Sequence, residues 1–300
     1  MQIAAHVLAY NVNRFIGPVL QNIAPHVDKI FVAHAEKPFG YVPEAREGFR
    51  NPTRKEHIEA AALGQQLEII EGDWLNEEAM RNACLDRARA QGFDWLLTQD
   101  ADEFYPPESW HQIRRSLERH ATEEHLITTW YTFWKSSQYV LVSRTGAIKE
   151  SNVGFAIRCR SDLKFVRQRM ANASSSRVLD CPCHHYGYVM SDEELREKLV
   201  TWSHAAQLNA RRWYRLKWMN WRESTRYLHP IHPVHWDRAI RFPLPQPDFA
   251  DQFALPVTPM ANISFRDATE ECWFDSLSRA KDWAARGKSA LGQWLGRNRP

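Results

Sequence analysis

Three hundred residues can form one large domain or one domain with an appendage, and 44% hydrophobic with 25% charged residues is an ordinary soluble composition. A formal charge of +3 gives no general affinity for nucleic acid, and no apolar run approaches the length of a membrane span. Five cysteines, with Cys84, Cys159 and Cys272 isolated, and an N-terminus without a basic-then-apolar leader point to reduced thiols and a cytoplasmic location.

Gln2 to Tyr10 reads as a buried first strand ending at Asn11. Phe15, Ile16, Val19, Leu20 and Ile23 follow at helical spacing, with Pro18 near the helix start. Lys29 to Ala33 is a second strand, so the chain opens with a βαβ unit, which should be parallel and right-handed. Pro38, Gly40 and Pro43 mark a loop, and Thr53 to Leu63 is a short helix candidate. Leu67 to Ile70 makes a third strand. Asn76 caps the next helix, which carries Glu77 and Glu78 in its first turn and stops at Gly92.

Trp95 to Thr98 is the fourth strand, and Asp100, Asp102 and Glu103 arrive where it stops. Pro106-Pro107 then turns the chain out of the sheet. Ligands of open α/β sheets bind outside the carboxyl ends of the strands. Clustered carboxylates there suit a hard divalent cation, with substrate phosphates completing its shell. Four strands with intervening helices predict a doubly wound, mostly parallel, Rossmann-like α/β sheet.

Ser109 to His120 reads as a surface helix, Leu126 to Trp134 as a strand, and Gly154 to Cys159 and Leu163 to Val166 as two more. After Cys181-Pro-Cys-His-His185, the capping box Ser191-Asp-Glu-Glu194 opens a helix through about Asn209. The texture then changes to interleaved Arg and Trp up to Arg226, followed by recurrent prolines up to Pro259 and a last amphipathic helix from Trp273 to Leu295. The expected division is a nucleotide-binding and catalytic domain over 1–209 and an aromatic and basic appendage over 210–300 packed on it.

Several separated features together resemble the GT-A glycosyltransferases, above all their family-2-like group with its bacterial and viral branch. These are a first strand ending in Asn11 with Arg14-Phe15-Ile16 beyond it, Val27-Asp28-Lys29-Ile30-Phe31-Val32, Arg81-Asn82 on a helix, the Asp100-Ala101-Asp102 motif, and His185-Tyr186-Gly187-Tyr188-Val189. The resemblance covers roughly residues 2–205. It implies a metal-dependent transferase that moves a sugar from a nucleotide-sugar, a UDP-sugar first among them, to a hydroxyl acceptor on a glycan or a modified nucleic-acid base.

By the same resemblance Asp102 ligates Mn²⁺ or Mg²⁺, Asp100 reaches the ribose or the metal, and Glu103 stands behind them. His185 or His184 supplies a ligand from the opposite side, and Arg81-Asn82 lies near the phosphates. Asn11, Arg14 and Asp73 are nucleotide contacts. Where the family often has an acid soon after the second strand, this chain reads Ala33-His34-Ala35-Glu36, and Glu36 would take that place. For the base that accepts the acceptor's proton, Glu150, Asp180 and Asp192 are the candidates.

Two rival readings stand beside this one. Cys181, Cys183, His184 and His185 offer zinc-type ligands, though without the usual spacing. Residues 211–226 interleave basic and aromatic side chains that would either hold a nucleic acid strand or dock a helix on the main domain. The first alternative makes the chain a nucleic-acid-binding protein on a GT-A-like scaffold.

Overall fold

The computed structural model describes residues 1–119, 122–202, 205, 209–232 and 235–297, except for the side chains of 150–152, 281, 282 and 284–297. The opening follows the expected order with one helix added where a loop was expected, α2, and a shorter α3: β1 (Ile3–Ala9), α1 (Asn13–Ile23), β2 (Lys29–His34), α2 (Pro43–Gly48), α3 (Lys55–Glu59), β3 (Leu67–Glu71), α4 (Glu77–Ala90) and β4 (Trp95–Thr98). β1, β2, β3 and β4 pair in parallel in the order β3-β2-β1-β4.

Alternation along β1 explains the layering. Ile3, Ala5, Val7 and Ala9 face α1, packing with Phe15, Ile16, Val19, Leu20 and Ile23. Ala4 faces the other way, with Phe31 and Ala33, onto Met80, Cys84, Leu85 and Ala88 of α4. The side-chain period of two therefore places one helix on each face of the sheet, which is what double winding means.

β5 (Glu103–Phe104), α5 (Pro107–Arg119), β6 (His125–Trp134), β7 (Ser136–Val142) and β8 (Lys149–Arg158) follow. β8 enters beside β4, and β6, β7 and a late strand, β12 (Arg238–Arg241), continue the sheet in antiparallel fashion. A short hairpin, β9 (Phe165–Arg167) with β10 (Met170–Ala171), lies outside it. The whole is a mixed α/β sheet with a parallel Rossmann-like half and a mixed, mainly antiparallel half.

β11 (Ser176–Tyr188) is the element the sequence concealed. Its Cys-Pro-Cys stretch reads as a loop, because proline offers no N–H to a ladder. Here β11 runs parallel to β6, and the register shifts between Val178 and Pro182, so the missing donor falls at an irregularity. α6 (Asp192–Thr201) begins at the expected capping box, with Ser191 and Glu194 bonded reciprocally. The stretch from 203 to 208, where its extension was expected, lies outside the described residues apart from 205.

Beyond it, α7 (Ala210–Trp213) leads into a π-helical segment, Tyr214–Met219. Trp213, Trp218, Trp221 and Trp236 are buried with Trp134, Tyr139 and Tyr188 in a second core under β7 and β11. Each such indole contributes about 4–6 kcal/mol of transfer free energy, so tryptophan in this chain mainly builds core. Arg212, Arg215 and Arg222 form ion pairs with Asp267, Glu270 and Glu271 of α8 (Phe265–Arg297). The indoles of this segment are thus buried, and three of its guanidinium groups are taken up by α8, while Arg211 stays exposed. Phe249 and Phe253 reach back to pack on Phe104 in the main core.

Candidate functional site

A cavity of about 260 Å³ opens at the carboxyl ends of β1, β2 and β4. Leu8, Tyr10, Asn11 and Val12 come from the end of β1, Ala35, Lys37, Pro38 and Phe39 from the loop after β2, and Asp100 to Asp102 from the end of β4. Met190, Glu194, Lys198, Thr201 and Trp202 close it from α6 and its flanks.

The ends of β1 and β2 are tied by Asn51, in the loop ahead of α3. Its Nδ2 donates to Ala9 O at 2.7 Å and to Ala35 O at 2.8 Å, while its Oδ1 accepts from the Asn11 and Thr53 amides at 3.0 and 2.9 Å. Asn11 has a left-handed backbone, φ 51°, a conformation asparagine tolerates better than most residues. Val12 N donates to Thr53 Oγ1 at 2.8 Å, and the Thr53 carbonyl bonds to His34 Nε2 at 2.8 Å. One amide side chain thereby shapes the cavity wall.

The acidic floor is built from three directions. Arg81, buried on α4, donates to Asp100 Oδ1 at 3.2 Å and contacts His6 Nε2 at 3.3 Å. Burial, and then the Arg81 charge, keep His6 well below its usual pKa, so it is neutral and accepts this bond. Arg169, from the turn of the β9–β10 hairpin, lies 2.7 Å from Asp100 and grips both Glu103 oxygens, at 2.5 and 3.1 Å. Burial works against ionisation of Asp100, yet Arg169 and Arg81 hold its carboxyl far below the usual range. For Glu103 burial wins and pushes the pKa up, with Asp100 and Asp102 acting in the same direction and Arg169 opposing.

β11 supplies the opposite wall. It pairs with β5 so that His185 stands opposite Glu103 and His184 opposite Phe104. His185 Nε2 lies 3.7 Å from Asp102 Oδ1, and its ring leans against Trp130, 4.1 Å between centroids with the planes tilted by 37°. Burial lowers His185 to about 4, against the pull of Asp102, so it is neutral at pH 7. Gly187 permits the approach, because a Cβ there would stand 2.5 Å from His185 Nε2 and 3.1 Å from Asp102 Oδ2. Lys198 Nζ lies 3.7 Å from Asp102 Oδ2 and donates to Gly187 O at 2.7 Å. Among the described residues, ligand-type atoms of Asp102, Glu103 and His185 converge within 4.8 Å of one another.

The expected site residues fall into distinct groups. Asn11, Asp100 and Asp102 line the cavity, with Arg81 and His185 against the acidic floor. Asn82 instead clamps the Phe165 backbone through two 2.9 Å bonds and so anchors the hairpin that carries Arg169. Arg14 bonds Val189 O and Glu194, steadying the start of α6. Glu36 lies by Arg50, Asp73 pairs with Arg46, and Asp180 pairs with Lys149 on the surface, all away from the cavity lining. Asp192 accepts from Trp218 Nε1 at 2.8 Å, and Glu150 sits in the β6–β8 ladder with its side chain outside the described residues.

His184 turns into the core between Phe133, Phe242 and Phe249. Cys181 donates to Gln112, burial raises both the Cys181 and Cys183 thiols, and neither cysteine joins a converging ligand set among the described residues.

Sequence reasoning missed Lys198, Arg169 and Asn51. Lys198 had a signal, since it lies one helical turn beyond Glu194 and shares its face. Arg169 had none, for only the fold brings that hairpin beneath Asp100.

No protein-family model matches the chain, and no curated protein does. Among solved structures, TarS from S. aureus is similar at 13% identity over 73% of this chain and 71% of that one, with a TM-score of 0.40. The 4-diphosphocytidyl-2C-methyl-D-erythritol synthase from Anaerococcus prevotii is similar at 11% identity over 65% and 94%, with a TM-score of 0.37. Likenesses this distant assign no chemistry to this chain.

Proposed function

We propose that the protein is a metal-dependent glycosyltransferase of GT-A type that binds a nucleotide-sugar in this cavity and transfers the sugar to a hydroxyl acceptor. The observation that carries the reading is the meeting of Asp102 and neutral His185 at the carboxyl end of a parallel strand, on the floor of the cavity. Their 3.7 Å separation is too long for a hydrogen bond, and it falls within the roughly 3–4 Å that separates two ligands sharing one Mg²⁺- or Mn²⁺-sized ion. Glu103 is taken up by Arg169, so Asp102 and His185 would hold the ion, with Asp100 beside them. An ion held there would neutralise charge developing on the diphosphate leaving group.

The chain's own groups would do the rest. Tyr10, Phe39 and the apolar wall of Leu8, Val12 and Phe15 suit a nucleobase. The Tyr10 hydroxyl is buried and has no hydrogen-bond partner among the described residues, which leaves it available to the nucleotide. Lys198 would meet the diphosphate. The base is assigned to Glu194, one turn from Lys198 on the same face of α6 and itself part of the cavity wall. Glu194→Gln keeps the capping-box hydrogen bonds but gives up the Arg14 ion pair together with the base, so it should cut turnover, with donor binding and the melting temperature measured alongside to separate the two losses.

The direct test is thermal unfolding with nucleoside diphosphates and nucleotide-sugars, with and without Mn²⁺. A ligand at about 100 times its Kd adds roughly 2.7 kcal/mol to the native state. Stabilisation by one diphosphate only when metal is present, lost in Asp102→Asn, is expected. An unchanged response in that variant would overturn the metal role.

A further inference from the structure

We propose that Lys198 is the resident counter-ion of Asp102, holding the place beside that carboxylate against a divalent ion until a diphosphate draws the ammonium away. This rests on the reading of Asp102 and His185 as ion ligands and adds the order in which the site fills.

Each acid of the floor has a cation beside it. Asp100 is shared by Arg81, at 3.2 Å, and Arg169, at 2.7 Å, and Arg169 also takes Glu103. Both guanidinium groups belong to buried side chains, 1% and 9% exposed, which fixes them in place. Asp102 differs. Among the described residues its one Lys or Arg partner within ion-pair distance is Lys198, 3.7 Å from Oδ2. The neutral His185 approaches through Oδ1 and brings no charge. The ammonium has a seat of its own: Nζ donates to Gly187 O at 2.7 Å and lies 5.2 Å from the centre of the Tyr188 ring. The carbonyl that seats the lysine and the imidazole that would hold the ion therefore come from the same strand, two residues apart.

A cation taken up by Asp102 and His185 thus arrives beside an ammonium that is already there, and like charges this close in a partly buried site repel strongly. Lys198 can give way where the two arginines cannot, because it is 28% exposed, lines the cavity and carries its charge on a flexible four-carbon stem. Glu194, one turn back on α6, is already paired with Arg14. An anion in the cavity, such as the diphosphate of the donor, gives the ammonium a new partner. Repulsion of the ion and attraction of the diphosphate then act through one side chain. A divalent ion alone binds weakly, a diphosphate strengthens it, and by linkage the ion strengthens the diphosphate by the same factor.

The test is equilibrium dialysis of the full chain against Mn²⁺ with no nucleotide present. Lys198→Gln keeps a donor for Gly187 O and loses the charge, whereas Lys198→Arg keeps the charge. Lys198→Gln should bind Mn²⁺ at least about tenfold more tightly than the wild type, and Lys198→Arg should stay close to the wild type. Inorganic pyrophosphate, dialysed at the same free Mn²⁺, should raise the bound metal in the wild type and much less in Lys198→Gln. Equal Mn²⁺ affinity in the wild type and the folded Lys198→Gln protein, abolished in each by adding Asp102→Asn, would overturn the counter-ion role and leave the metal site standing. So would an equal pyrophosphate effect, or none, on the two proteins. Binding of Mn²⁺ by none of them, or binding that Asp102→Asn leaves intact, would instead overturn the metal site itself and the counter-ion role with it.

Discussion

Replacing Arg169 by Met tests the electrostatic floor of the site. In the wild type this buried guanidinium is shared by Asp100, at 2.7 Å, and Glu103, at 2.5 and 3.1 Å. Without it Asp100 keeps Arg81, but Glu103, which burial already holds protonated at pH 7, loses its neighbouring cation and with it the means to ionise at higher pH. Removing one partner of a buried ion pair costs about 3–5 kcal/mol, and because Glu103 already carries a proton at pH 7, leaving Asp100 as the charged partner, the lower figure applies there. An unfolding entropy of about 2.1 cal/mol/K per residue gives roughly 0.6 kcal/mol/K for a chain of 300 residues, so the melting temperature should fall by about 5 °C. The deficit should widen toward pH 9, where the wild type can ionise Glu103 against Arg169 and the variant cannot. Adding Glu103→Gln should recover about half of the loss, because a neutral amide needs no counter-charge. Denaturant melts of the four proteins at pH 7 and pH 9 measure the cycle. A loss below about 1 kcal/mol at both pH values, or strictly additive losses in the double variant, would refute the shared-cation account.

Other outcomes follow from the same geometry. Burial raises Glu103 from its ordinary 4.5 to about 8, so the folded state holds a proton that the unfolded chain has released. That contribution is complete below pH 4.5 and is lost as pH rises through about 8, at up to about 1.4 kcal/mol per pH unit; Glu103→Gln should flatten the slope in pH-dependent melts. Asn51→Ala removes four hydrogen bonds at the ends of β1 and β2 and should cost about 2–4 kcal/mol in urea unfolding, with weaker nucleotide binding. Gly187→Ala would push a methyl against His185, so Mn²⁺-dependent stabilisation should disappear while the metal-free melting temperature stays close to wild type. Retention of full metal dependence in that variant would count against His185 as a ligand.

The parallel half of the sheet and the place of its acidic floor were readable along the chain. Hydrophobic alternation in β1, the apolar run of β4 and the Asn76 cap are local signals, and local signals survive in a linear reading. Asp100 and Asp102 were legible for the same reason, since a strand followed by acids and then Pro106-Pro107 permits few arrangements. What those acids touch depends on contacts made by folding. Arg169 reaches them because Asn82 clamps the hairpin at Phe165 and because Gly154 leaves room for the Arg169 carbonyl, where a Cβ would stand 2.3 Å away. His185 rather than His184 faces the site because pairing of β11 with β5 fixes the register, and neighbouring residues of a strand point to opposite faces. In one dimension the dense Arg and Trp segment allowed either a strand-binding surface or a helix docked on the main domain. In three it is core, because its rings meet Trp134 and Tyr188 and its charges meet α8. Contacts between residues distant in sequence leave no local pattern, so composition shows what a segment contains and the fold selects which face it shows to water.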